Sequence, residues 1–135
     1  MILDENEVQK FFQNKKILIV EDDVLLQAPL NKVIAEIDSR IEVKWVDSVK
    51  AAKQELTSCR YSMVLVDFNL EGELTGLDLW HYCNKKYATM PFIIISALEM
   101  EAFLKMFGKE DVVPPFLPKP FYLGECRQFI QHFLK

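Results

Sequence analysis

The feature that most limits what this chain can fold into is a set of short runs made almost wholly of β-branched and aliphatic residues. ILIV (17–20), SMVLV (62–66) and FIII (92–95) are apolar at nearly every position rather than at alternate ones. A strand that is apolar on both sides needs cover on both sides, which is the condition of a parallel sheet with helices on its two faces. IEVKWV (41–46) and the short, proline-flanked PFLP (115–118) read as two further strands. Between the strands, apolar residues recurring at spacings of three and four predict helices over about 24–37, 48–58, 76–86, 98–107 and 122–134. The fourth carries the stripe Phe103, Leu104, Met106 and Phe107. Ser48 is placed to N-cap the second helix. Pro29 should kink the first helix or delay its start.

Strands and helices in alternation give a doubly wound α/β domain, helices on both faces of a mostly parallel sheet. At 135 residues, half of them hydrophobic, the chain is one folded domain by length and composition. Residues 1–15 read as an N-terminal extension with a short helix around Asp4 to Gln13, and 16–135 as the domain. A net charge of −4 argues against a nucleic-acid footprint. Cys59, Cys83 and Cys126 have neither zinc nor disulfide-frame spacing and read as reduced thiols. No run approaches the roughly 20 apolar residues of a membrane span, and the acidic start is unlike a secretory signal. A cytoplasmic protein without membrane contact is the expectation.

In open α/β sheets, ligands bind beyond the carboxyl ends of the strands. Here those ends carry the chemistry. The first strand runs into Glu21, Asp22 and Asp23, the third into Asp67, the fourth into Ser96 and the fifth into Lys119. Crowded acids raise one another's energy, so a cluster like the first either caps a helix in water or awaits a cation. Converging carboxylates are hard oxygen ligands suited to Mg²⁺. With a lysine and a hydroxyl they could also hold a phosphoryl group, and a carboxylate among them could act as nucleophile. Plainer readings stand beside these: Asp22 or Asp23 as a helix cap, Ser96 as the cap of the fourth helix, Lys119 as a surface lysine. Asp23 is best read as the cap. Trp45 reads as packing, Trp80 as core or contact surface, and Met100 and Met106 as core or a modest partner surface. His81 and His132 have no ligand spacing around them.

Taken together, ILIVEDD, VLVDFNLEG, IIISA and LPKPF resemble the motifs of the bacterial response-regulator receiver domain, in that family's order and over nearly all of the chain from Lys16. The resemblance implies a flavodoxin-like (βα)5 domain, a five-stranded parallel sheet in the order 2-1-3-4-5. It implies Asp67 as phosphoacceptor, and Mg²⁺ held by Asp22, Asp67, the Asn69 carbonyl and, through water, Glu21. Lys119 would pair with the phosphoryl oxygens, Ser96 would bond the phosphoryl group, and Ala97 would leave room for the donor. Lys119–Pro120 would be cis. Ser96 and Phe116 would form the signalling switch; lacking a hydroxyl, Phe116 would turn inward by burial alone.

Two segments depart from the family's pattern. NLEGELTG puts Glu71 where a proline is usual, adds Glu73, and is one residue longer; GKEDVVPPFLP stiffens the approach to the fifth strand with Pro114, Pro115 and Pro118. The implied function is a phosphoacceptor in a two-component system. Its donor would be a sensor histidine kinase or phosphotransfer protein, and its output a protein contact through the fourth helix, fifth strand and fifth helix. It would act as a monomer or a phosphorylation-dependent dimer, free-standing like the single-domain chemotaxis regulators. It would not be an enzyme beyond its own phosphotransfer and dephosphorylation. The alternatives are a receiver-fold scaffold not controlled by phosphorylation, or a receiver segment of a larger hybrid kinase or regulator. An aspartate-nucleophile phosphatase of the haloacid-dehalogenase kind is disfavoured, because Asn69 stands where that chemistry wants a second Asp and Asp67 is on the third strand.

Overall fold

Alternate side chains of the central strands point to opposite faces of one sheet, and the helices divide between those faces. The computed structural model describes residues 2, 4, 5, 15–70 and 72–134. Its sheet is β1 (Lys16–Val20), β2 (Glu42–Val46), β3 (Met63–Asp67), β4 (Phe92–Ser96) and β5 (Phe116–Pro118), all parallel, in the order β2-β1-β3-β4-β5. Leu18, Val20, Val64, Val66 and Ile94 pack with side chains of α2 (Val49–Ser58), α3 (Gly76–Lys86) and α4 (Met100–Leu104). Ile17, Ile19, Met63, Leu65, Ile93 and Ile95 pack with α1 (Gln27–Ile37) and α5 (Leu123–Phe133). Every residue of β3 and β4 is buried, and each such aliphatic side chain contributes about 1.5–3 kcal/mol. The edge strand β2 is only half covered, and Trp45 on it is anchored by its Nε1 donating to Asn31 Oδ1 at 3.0 Å.

The helix starts follow local chemistry. Asp23 accepts from the Leu25 amide and caps a 3₁₀ turn over Val24–Leu26, and α1 proper begins at Gln27. Pro29 therefore falls in the first turn of α1, where a missing N–H costs no helical bond. It delays the helix as expected. Ser48 accepts from the Ala51 amide at 3.1 Å and starts α2. Trp80 is core, tilted on Phe92 with ring centroids 5.3 Å apart.

The fourth helix is a correction to the expected 98–107 span: it is five residues long. After Leu104 the chain tightens, with Met106 N donating to Phe103 O and Phe107 N to Leu104 O, and Gly108 follows. The stripe that suggested a longer helix splits, because Phe103 is fully buried while Leu104 and Met106 are exposed. The expected helix over 4–13 lies largely outside the described residues, as does Glu71. No helix among the described residues is long and apolar enough to cross a membrane.

Candidate functional site

Strand register assembles the site. Val20 pairs with Val66, so Glu21 and Asp67 emerge side by side from β1 and β3. Asp67 pairs with Ile95, and Ser96 with Pro118, which brings Ser96 and Lys119 to the same edge. Pro118 lies on the outermost strand, and the lost N–H is followed at once by the Lys119 amide donating to Ser96 O at 2.7 Å. The Lys119–Pro120 bond is cis.

Carboxylate oxygens of Glu21, Asp22 and Asp67 lie within 4.8 Å of one another. Glu21 and Asp67 are buried, at 5% and 7% exposure, and Asp22 opens to solvent. Lys119 Nζ stands 3.2 Å from Glu21 Oε2 and 3.5 Å from Asp67 Oδ2. Glu21 Oε1 accepts from the Asp23 amide at 3.1 Å, and Asp67 Oδ1 accepts from the Asn69 amide at 3.2 Å. Burial, and then the negative charge of Asp67, push the Glu21 carboxyl up to about 7, against the Asp23 amide and the Lys119 ammonium, which pull it down.

Three carboxyl groups face one ammonium, so acids outnumber the base where two of them are buried. A hard divalent cation answers both the charge and the donor type, and the exposed side at Asp22 admits the waters that Mg²⁺ keeps. The residues present fit that ion.

The remaining expected site residues fall around this cluster. Ser96 is fully buried and its Oγ accepts from the Leu98 amide at 3.0 Å, although the N-cap of α4 is Glu99. Ala97 is exposed beside Lys119, and the two line a shallow apolar pocket with Leu26, Phe121 and Leu123. Phe116 is not at the carboxylates. It lies inward, 7% exposed, stacked on Phe103 with ring centroids 4.4 Å apart and planes at 23°. Glu73 is exposed. Sequence reasoning assigned no role to Thr75, Gly76 and Asp78, which fasten the connection from β3 to α3; the T-x-x-D spacing of a capping box was the available signal.

With this geometry in view, the comparisons with known proteins are direct. Residues 17–131 match the family model described as response regulator receiver domain. The chain belongs to that family. It is 32% identical over 120 residues to the transcriptional regulatory protein BasR of Escherichia coli K12, covering 89% of this chain and 52% of that protein. The chain spans about half the length of the curated relatives it matches. Among solved structures, the non-phosphorylated HemR receiver domain of Leptospira biflexa superposes with a TM-score of 0.74 at 25% identity, covering 90% of this chain and 95% of that one. The response regulator TrrA of Thermotoga maritima, solved in complex with Mg²⁺ and BeF, superposes with a TM-score of 0.73 at 20% identity over 89% of this chain and 99% of that one. The sheet order is the one expected from the sequence.

Proposed function

We propose that this receiver accepts a phosphoryl group on Asp67 from a phosphorylated histidine and signals through a change of conformation. The observation that carries the reading is the meeting of Glu21, Asp22 and Asp67 within 4.8 Å, with Lys119 Nζ 3.5 Å from Asp67. Glu21, Asp22 and Asp67 would hold Mg²⁺, with the Asn69 carbonyl as a further ligand. When bound, the ion supplies positive charge for the phosphoryl oxygens.

The chain's own groups do the rest. An Asp67 oxygen attacks phosphorus in line, the P–N bond of the donor histidine breaks, and the imidazole leaves with the bonding pair and takes a proton. Lys119, already against Asp67 and Glu21, neutralises charge that arrives with the phosphoryl group. The Ser96 hydroxyl, now accepting from Leu98, would turn to donate to a phosphoryl oxygen. Water later hydrolyses the acyl phosphate, returning Asp67 and inorganic phosphate. Beyond this phosphotransfer and its own dephosphorylation, no catalysis on other molecules is proposed.

The donor is a sensor histidine kinase or phosphotransfer protein, and the protein works in the cytoplasm. Output goes through the face of α4, β5 and α5, where Met100, Leu104, Tyr122 and Leu123 are exposed. The length of the curated relatives favours a second reading of scale: a receiver serving as about half of a transcriptional regulator.

Intact mass after incubation with acetyl phosphate, with and without Mg²⁺, tests the reading, with Asp67→Asn run alongside. The expected result is a Mg²⁺-dependent gain of one phosphoryl group in the wild type and none in the variant. No gain by a folded chain that binds Mg²⁺ would leave a receiver-fold scaffold in its place.

A further inference from the structure

The acceptor sits on the last residue of β3, so its aim is set by the turn that follows, and that turn is held from two sides. On one side the Phe68 amide donates to Ile95 O of β4 at 2.8 Å. On the other, the first residue of α3 lies directly on the turn: the Gly76 amide donates to Phe68 O at 3.0 Å. A Cβ at Gly76 would stand 2.7 Å from the Asp67 carbonyl oxygen and 2.9 Å from Phe68 Cα, well inside van der Waals contact with backbone that has no rotamer to yield.

Gly76 is itself fixed by a reciprocal cap. The Thr75 amide donates to Asp78 Oδ2 at 2.6 Å, and the Asp78 amide donates to Thr75 Oγ1 at 3.4 Å. The same turn gives the Asn69 amide its bond to Asp67 Oδ1, which orients the carboxylate together with Lys119 at Oδ2. Leu70, buried in the core at 9% exposure, pins the loop between turn and cap.

We infer that Gly76, seated by the Thr75–Asp78 cap, is a positioning residue for Asp67: its missing side chain lets α3 press on the 67–69 turn and aim the carboxylate at Glu21, Asp22 and Lys119. The inference rests on the proposed function only through the part Asp67 takes in holding Mg²⁺. Outer partners that orient a metal ligand typically govern 10–100-fold in affinity or activity.

The test compares Gly76→Ala, Thr75→Ala, Thr75→Ser and, as control, Gly124→Ala, where nothing lies within 4 Å of an added Cβ. Mg²⁺ affinity is read from backbone amide shifts, which also report folding, and acceptance of phosphoryl from acetyl phosphate is read by intact mass. The expected result is about a 10–100-fold loss of both for Gly76→Ala. Thr75→Ala should lose less, Thr75→Ser should recover, and Gly124→Ala should match the wild type. A folded Gly76→Ala with wild-type affinity and rate overturns the inference. If Gly76→Ala does not fold, the threonine pair decides, and equal behaviour of Thr75→Ala and Thr75→Ser overturns it. A wild type that binds Mg²⁺ without gaining mass defeats the proposed function alone, since the affinities still rank the variants. A wild type taking up neither overturns both.

Discussion

The connection from β3 to α3 and the stretch from β4 through α4 to β5 both border the acidic cluster, but they are held in different ways. In the first, α3 begins with a reciprocal cap and a glycine pressed on the strand end, and it runs for eleven residues with Leu79, Trp80 and Cys83 buried. In the second, α4 has no side-chain cap, lasts five residues and buries Phe103 alone, while Val112 and Val113 beyond it are exposed. The connection that follows Asp67 is thus fixed by backbone contacts, whereas α4, between Ser96 and Phe116, is held to the core through one buried ring. Few buried contacts mean a low free energy of local opening. The function proposed above, a fixed Asp67 beside a surface that changes, would call for this division of stiffness.

The largest effect that would test the division is Phe103→Ala. Phe103 is fully buried, stacks on Phe116 at 4.4 Å and meets Phe107 edge-on at 5.2 Å. Its truncation should cost about 3–5 kcal/mol in urea unfolding and release Phe116, visible as new chemical shifts confined to α4 and β5. A loss below about 1 kcal/mol would show that α4 is held by something other than this ring.

Next comes Leu70→Ala on the stiff side. Leu70 is buried at the start of the loop, and its loss should cost about 2 kcal/mol. Shifts should reach the Asp67 and Asn69 amides while α4 stays unchanged. Propagation into α4 instead would mean that the two connections move as one unit, and the comparison would fail.

Thr75→Ala ranks third. Removing the cap should lower stability by about 1 kcal/mol and speed amide exchange at the first turn of α3, and Thr75→Ser should restore both. Exchange in α4 should already be faster than in α3 in the wild type, because its first turn has no such cap to lose.

These contrasts were unevenly legible in the sequence. The strands could be read because continuous apolar runs such as VLV before Asp67 have few other uses, and the site could be read because a parallel sheet delivers its strand ends to one edge. α3 was readable to the residue, since its apolar pattern and its termination coincide. α4 was not: Phe103 faces the core while Leu104 and Met106 face solvent, and a stripe alone cannot say where helical hydrogen bonds give way to tighter turns. The closeness of Glu21 to Asp67 depends on the Val20–Val66 register, and the need for Gly76 depends on how closely α3 approaches the strand end. Both are facts of relative placement that no local pattern encodes. The cap at Thr75 was local, and its spacing was there to be read.

The smallest expected effect concerns the surface of the loose side. Met100 and Met106 are each more than two-fifths exposed, and neither belongs to the core packing that Phe103 anchors. Replacing both by glutamine keeps length and helix tolerance while removing apolar surface, so stability should move by less than about 0.5 kcal/mol. Mg²⁺ affinity should not move, because neither side chain touches the carboxylates or the turn behind Asp67. If these methionines serve the output contact, the double variant should take up phosphoryl normally and fail only in engaging a partner. A clear loss of stability would mean that they pack in solution, and α4 would be better held than its single buried ring implies.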